Sequence, residues 1–167
     1  DTTFNESFAM MVEEQGALRW LESRGLHDQI ESYRLLKRWQ RQFSEMVLSH
    51  RERLSVAYSA DRPDSWKREQ KAVILTDLET SYEDLKESWG GYAGFDGWFG
   101  REVNNARLAL IGVYHQLIPA FLDLLEAHDG DLEAFYAEVL EISELEFDER
   151  RRRLGVSESE PEAETAP

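Results

Sequence analysis

Apolar side chains recur every three or four residues along almost the whole chain, and nowhere do they alternate with polar ones over the length of a strand. That spacing stacks them on one face of a helix, so the chain is predicted to be all-α. Phe4, Phe8, Met11, Leu18 and Leu21 place a first helix over 4–23, ending near Gly25. Ile30 through Trp39, Phe43, Val47, His50, Leu54 and Tyr58 continue the period over a long second helix. Pro63 or Asp64 starts a third, which buries Trp66, Val73, Ile74, Leu78, Tyr82 and Leu85. A fourth runs from about Val103 through Leu108, Ile111 and Tyr114 to Leu117, where Pro119 forces a kink or a restart. Asp131 is the N-cap of a last helix bearing Leu132, Phe135, Tyr136, Val139, Ile142 and Phe147. The expected architecture is a bundle of five to six helices.

One segment interrupts the helical pattern. Residues 89–100, Trp-Gly-Gly-Tyr-Ala-Gly-Phe-Asp-Gly-Trp-Phe-Gly, hold half of the chain's glycines and five aromatic rings. Each glycine disfavours a helix by about 1 kcal/mol relative to alanine, so a loop is expected. Its rings either pack a tight connection, with glycine allowing close backbone approach, or wall a pocket. At 167 residues the chain suits one domain.

Charge and cysteine content exclude several function classes. The chain has no Cys, which removes disulfide scaffolds, thiolate metal sites and cysteine nucleophiles. With 34 acidic and 19 basic side chains it is a poor nucleic-acid binder, and no window approaches a membrane span. The acids are unevenly placed. Residues 157–167 carry four Glu, no base and no large apolar group, so a disordered acidic tail is expected over 155–167, after a folded region of 1–154. Residues 131–149 carry eight acids and are followed by Arg150 to Arg153, an order that complements a helix macrodipole. Arg34, Lys37, Arg38, Arg41, Arg51 and Arg53 form a basic strip on helix two, expected to be a solvated face.

The stretch Phe4-Asn5-Glu6-Ser7-Phe8-Ala9 has two readings. Thr3 and Glu6 have capping-box spacing. Asn-Glu-x-x-Ala on the first turns of an apolar helix also resembles the form in which gluzincin metallopeptidases present a third zinc ligand. Asp1 to Ala9, Val12-Glu13 and Arg19-Trp20-Leu21 together resemble the segment that follows the zinc helix in a bacterial family of predicted aminopeptidases. So do Asn104-Asn105-Ala106-Arg107-Leu108-Ala109, Tyr114, Pro119-Ala120-Phe121 and Gly130 to Tyr136. The resemblance covers roughly residues 1–140.

That resemblance implies a zinc-dependent hydrolase of peptide substrates in the bacterial cell envelope, with Glu6 as metal ligand. The departure from the family pattern is equally informative. The histidines are His27, His50, His115 and His128, so no His-Glu-x-x-His motif is present. The chain is therefore expected to be the C-terminal helical part of such an enzyme, inactive alone and not retaining zinc by itself. A start on Asp1-Thr2-Thr3-Phe4, running straight into a helix, fits a piece of something longer.

Tyr114, His115 and Tyr92 are candidate oxyanion donors, at most one of which acts, since adjacent residues on a helix point about 100° apart. Asn104 and Asn105 either bind substrate backbone or cap helix four. Nothing marks Asp96 or Glu102 as the holder of a substrate α-amino group. The competing reading is a non-enzymatic all-α interaction module in which Glu6 only caps. In the peptidase reading, the side near Phe4, Phe8 and the aromatic loop, where the zinc helix would pack, is expected to expose apolar surface able to drive oligomerisation.

Overall fold

A computed structural model describes residues 1–115 and 117–156, with the backbone alone over 112–115. The described residues form eight helices and no strand. The chain is all-α, with more helices than the five or six expected.

Helix α1 is Thr2–Ser23. Its N-cap is Asp1, whose carboxylate accepts the Phe4 N–H at 3.3 Å. Thr3 therefore lies inside the first turn, and the Thr3–Glu6 capping box does not form. At the other end Gly25 takes φ +66°, while Leu26 donates to the Leu21 carbonyl and Gly25 to that of Glu22. This left-handed cap turns the chain into α2, His27–Ser59. Pro63 precedes α3, Asp64–Ser88, in an antiparallel hairpin with α2. Val73, expected to be buried, is exposed, because the buried face of α3 runs through Ile74, Leu78 and Tyr82 and its neighbour Val73 points about 100° away.

The expected loop over 89–100 contains a single helical turn, α4, Asp96–Phe99. Helix α5 is Asn105–His115. The expected interruption near Pro119 is a full restart: α6 is Ile118–Ala127, with proline in the first turn, where its missing N–H has no helical partner to lose. Asp131 caps α7, Leu132–Ser143, by accepting from Glu133 and Ala134.

The expected last helix is in fact two, because α7 stops at Ser143 and α8 is Phe147–Arg153. The break is held by Arg150, which donates to the carbonyls of Ser143 at 3.0 Å and Leu145 at 2.9 Å. These are among the acceptors that a helix C-terminus leaves without internal partners. Arg150 also pairs with Asp1 at 3.1 Å and lies over the Phe4 ring at 5.0 Å. Arg153 pairs with Glu138. Two of the four arginines thus join separate elements, a role that macrodipole matching does not describe. The ordered fold also reaches past Leu154: Gly155 takes φ +67°, and Val156 bonds to the Arg151 carbonyl and lies against the core. The rest of the expected tail, 157–167, lies outside the described residues.

Two apolar clusters hold the helices. Phe4 and Met11 of α1 meet Phe121 and Leu125 of α6, Phe135, Val139 and Ile142 of α7, and Leu154. Phe43, Val47 and Leu54 of α2 meet Ile74, Leu78 and Tyr82 of α3, Leu108 of α5, and Trp89. Helix α1 bridges the two, lying against α2, α5 and α6.

The basic strip of α2 belongs to this joint. Arg34 pairs with Glu22 at 3.2 Å, Lys37 with Glu13 at 3.7 Å and Arg41 with Glu14 at 3.0 Å, all on α1, while Arg53 pairs with Asp77 of α3. Lys37 and Glu14 are buried. The expected solvated face is therefore largely an interhelical one.

Candidate functional site

Glu6 sits on the second turn of α1, and the local sequence fixes that turn from several sides. Phe4 is buried edge-on against Phe121 at 5.1 Å, and Phe8 stacks with Phe135 at 6.0 Å. Ser7 is fully buried, and its hydroxyl accepts the Leu117 N–H at the start of α6. With 3.6 residues per turn, Glu6 points about 160° away from Phe8. It is half-buried and makes no hydrogen bond or ion pair among the described residues. Asn5, Ala9, Glu13 and Gly16 are exposed along the same helix, and nothing lies within 4 Å of where a side chain at Gly16 would begin.

The other candidates are placed less uniformly. Tyr114 and His115 fall in the last turn of α5, a helix that lies against α1, but their side chains lie outside the described residues. Tyr92 stacks on Trp39 at 4.5 Å and belongs with the second cluster, whereas Phe4 and Met11, flanking Glu6, belong to the first. Asn104 accepts the Arg107 N–H at 3.1 Å and so caps α5. Asn105 accepts from the Tyr58 hydroxyl at 3.2 Å, tying α5 to α2.

Asp96 accepts from the Tyr82 hydroxyl at 2.6 Å and from Lys86 at 2.9 Å. These bonds, Tyr82's first, hold its carboxyl below the usual range, and the Lys86 ammonium is pushed up by the same carboxylate. Glu102 is exposed.

Around Asp96 the aromatic segment forms a packed connection. Phe95 stacks on Phe43 at 4.4 Å and Phe99 on Tyr82 at 4.5 Å, and Trp89 donates to Gln42 at 2.8 Å. The Tyr92 ring occupies the space that a side chain at Gly94 would need. Of the two readings of this segment, close packing is the one observed. Phe4 is buried and the loop rings pack in the other cluster, so the two do not share one exposed apolar side. The exposed large apolar residues include Trp20 on α1 and Tyr136, Leu140 and Phe147 on α7 and α8.

One concavity escaped the sequence reading. Met10, Glu14, Lys37, Gln40, Arg41 and Ile118 line a small cleft between α1, α2 and α6, starting one turn along α1 from Glu6. Beside it the Lys37 ammonium lies 5.4 Å from the Tyr33 ring, and burial raises the Tyr33 phenol above its ordinary range. The signal was present as Lys37 and Arg41, four apart, facing Glu13 and Glu14, but nothing local says that those helices meet.

Comparison with known families decides the class. A family model described as "Putative aminopeptidase" matches residues 1–154. The chain belongs to that family. No curated protein and no solved structure matches it. A hydrolytic zinc takes three protein ligands and keeps a fourth position open. The described residues of this family member contain no group of three His, Cys, Asp or Glu able to hold a metal. Among the described residues Glu6 is a single carboxylate with no second His, Cys, Asp or Glu grouped with it into a metal-holding set of three.

Proposed function

We propose that this chain is the helical portion, over 1–154, of a zinc aminopeptidase of the bacterial cell envelope, and that Glu6 is its third metal ligand. The His pair and the general-base glutamate would come from a segment this sequence does not contain. The observation that carries the reading is Glu6 itself, a half-buried carboxylate on a firmly seated helix, with no partner among the described residues. Neighbouring acids on the same helix are engaged: Glu13 by Lys37, Glu14 by Arg41 and Glu22 by Arg34.

When bound, zinc would polarise the substrate carbonyl and lower the pKa of a water, so that the general base could take its proton and leave hydroxide to attack. The chain's own part is positioning. Ser7, Phe4 and Phe8 fix the register of α1, so the Glu6 carboxylate is presented without a competing bond. The small side chain at Ala9 and the bare backbone at Gly16 leave that face open to a second helix bringing the histidines. Helix α5, tied down by Asn104 and Asn105, lies against α1, and Tyr114 or His115 of its last turn would be the donor to the developing oxyanion of a peptide substrate.

The test is zinc content. A protein that includes an upstream His-Glu-x-x-His segment should carry one equivalent of zinc by elemental analysis, and Glu6→Gln should lose most of it with helicity retained. Zinc content and peptidase activity unaffected by Glu6→Gln would refute the ligand assignment.

A further inference from the structure

The outward face of α7 carries a feature that the proposed hydrolytic role does not use. Phe135, Val139 and Ile142 face the core, yet Tyr136 is 41% exposed and Leu140 63% exposed. They lie one helical turn apart, with half-buried Leu132 one turn earlier, so the three form a continuous apolar stripe. It continues onto α1, where Phe8 meets Tyr136 edge-on at 6.1 Å. Glu133, three residues before Tyr136, and Glu144, four after Leu140, border the stripe. Both are exposed and make no ion pair among the described residues. Beyond it, Arg151 sits over the Phe147 ring at 5.6 Å.

We propose that this stripe is a docking surface for an amphipathic helix whose apolar side is flanked by Lys or Arg. Helix-in-groove recognition uses apolar anchors one turn apart, which Tyr136 and Leu140 match from the receptor side. The border selects the occupant's charge. A second copy of the chain would set Glu133 and Glu144 against their like, and residues 157–167 hold four acids and no base.

The probes are two synthetic helical peptides of about four turns, sharing one leucine stripe and differing only in Lys or Glu flanks. Binding to the full 167-residue chain is read by fluorescence anisotropy. The Lys peptide should bind, and the Glu peptide should bind roughly a hundredfold more weakly. Leu140→Asp should cost at least about tenfold with helicity unchanged. Glu133→Lys with Glu144→Lys should reverse the peptide preference, while Glu69→Lys with Glu79→Lys, exposed on α3, should leave it as it was. An equal loss from the α3 pair would mean general acidity and overturn the proposal. So would Lys-peptide binding indifferent to Leu140→Asp, or a wild-type dimer in sedimentation that Leu140→Asp dissociates.

Discussion

Arg150→Met removes the guanidinium that joins α8 to the rest of the molecule while keeping the apolar length of the side chain. Arg150 donates to the Ser143 and Leu145 carbonyls, pairs with Asp1 and covers the Phe4 ring, and its side chain is only 14% exposed. A hydrogen bond made by a charged group contributes about 1.5–3 kcal/mol when well shielded, and the cation over a ring about 0.5–1 kcal/mol. Water reaches the exposed Asp1 pair, which adds only about 0.5 kcal/mol, so with the two carbonyl bonds and the ring at their lower ends the expected loss is about 4 kcal/mol. For a chain of this length that lowers Tm by roughly 10 °C. Arg150→Lys keeps the charge, but a single ammonium cannot span three acceptors, so it should recover only about a third of the loss. Arg152→Met is the control, since Arg152 makes one exposed contact to Asp148. If the four arginines acted only on the helix macrodipole, each would contribute about 0.3–1 kcal/mol and the variants would be alike. Urea titrations of the three variants decide it. Equal losses for Arg150→Met and Arg152→Met would refute the joining role.

Ser7→Ala leaves the Leu117 N–H buried without its acceptor, and a loss of about 1–3 kcal/mol is expected in urea denaturation; an unchanged midpoint would show that the bond at 3.3 Å contributes nothing. Tyr82 makes the fold sensitive to high pH. Burial first, and then the bond to Asp96, raise its phenol above the ordinary value of about 10. Because the folded state favours the protonated phenol, this stabilisation is complete below pH ~10 and is lost as pH rises above it. Midpoints of the wild type should therefore fall more steeply from pH ~9 to ~11 than those of Tyr82→Phe, and parallel curves would contradict the assignment.

The helical class and most boundaries were legible because they depend on local spacing. Pro63, Pro119, Asp131 and Gly25 each do locally what their chemistry dictates. The α7–α8 break was not legible, because the group that stabilises it reaches back from Arg150 to Ser143, Leu145 and Asp1. Thr3 as N-cap failed for a related reason. Asp1 supplies an equally competent acceptor two residues earlier, and the helix begins at the first one available. Of the candidate site, Glu6 alone was legible. That residue stands out by motif, whereas the cleft at Glu14, Lys37 and Arg41 depends on the meeting of α1 and α2.

The charge pattern shows how far composition can mislead about partners. A net charge of −15 suggests a uniformly acidic surface, and the strip on α2 suggests one basic exception. In the folded chain that strip is largely matched by Glu13, Glu14, Glu22 and Asp77, across sequence separations of 12 to 27 residues. Pairing with α2 leaves Glu6 as the unpartnered acid on the first turns of α1, while α8 contributes Arg153 to Glu138 but nothing to Glu133 or Glu144. These two sets of carboxylates, among several without an ion pair in the described residues, have different surroundings. Glu6 is half-buried and single on a well-seated helix, which suits a compact cation held by further ligands. Glu133 and Glu144 are exposed and flank an apolar stripe, which suits a cationic side chain on an apolar scaffold. If both assignments hold, Glu6→Gln should leave Lys-peptide affinity intact and Leu140→Asp should leave zinc content intact, because the two surfaces use opposite sides of α1.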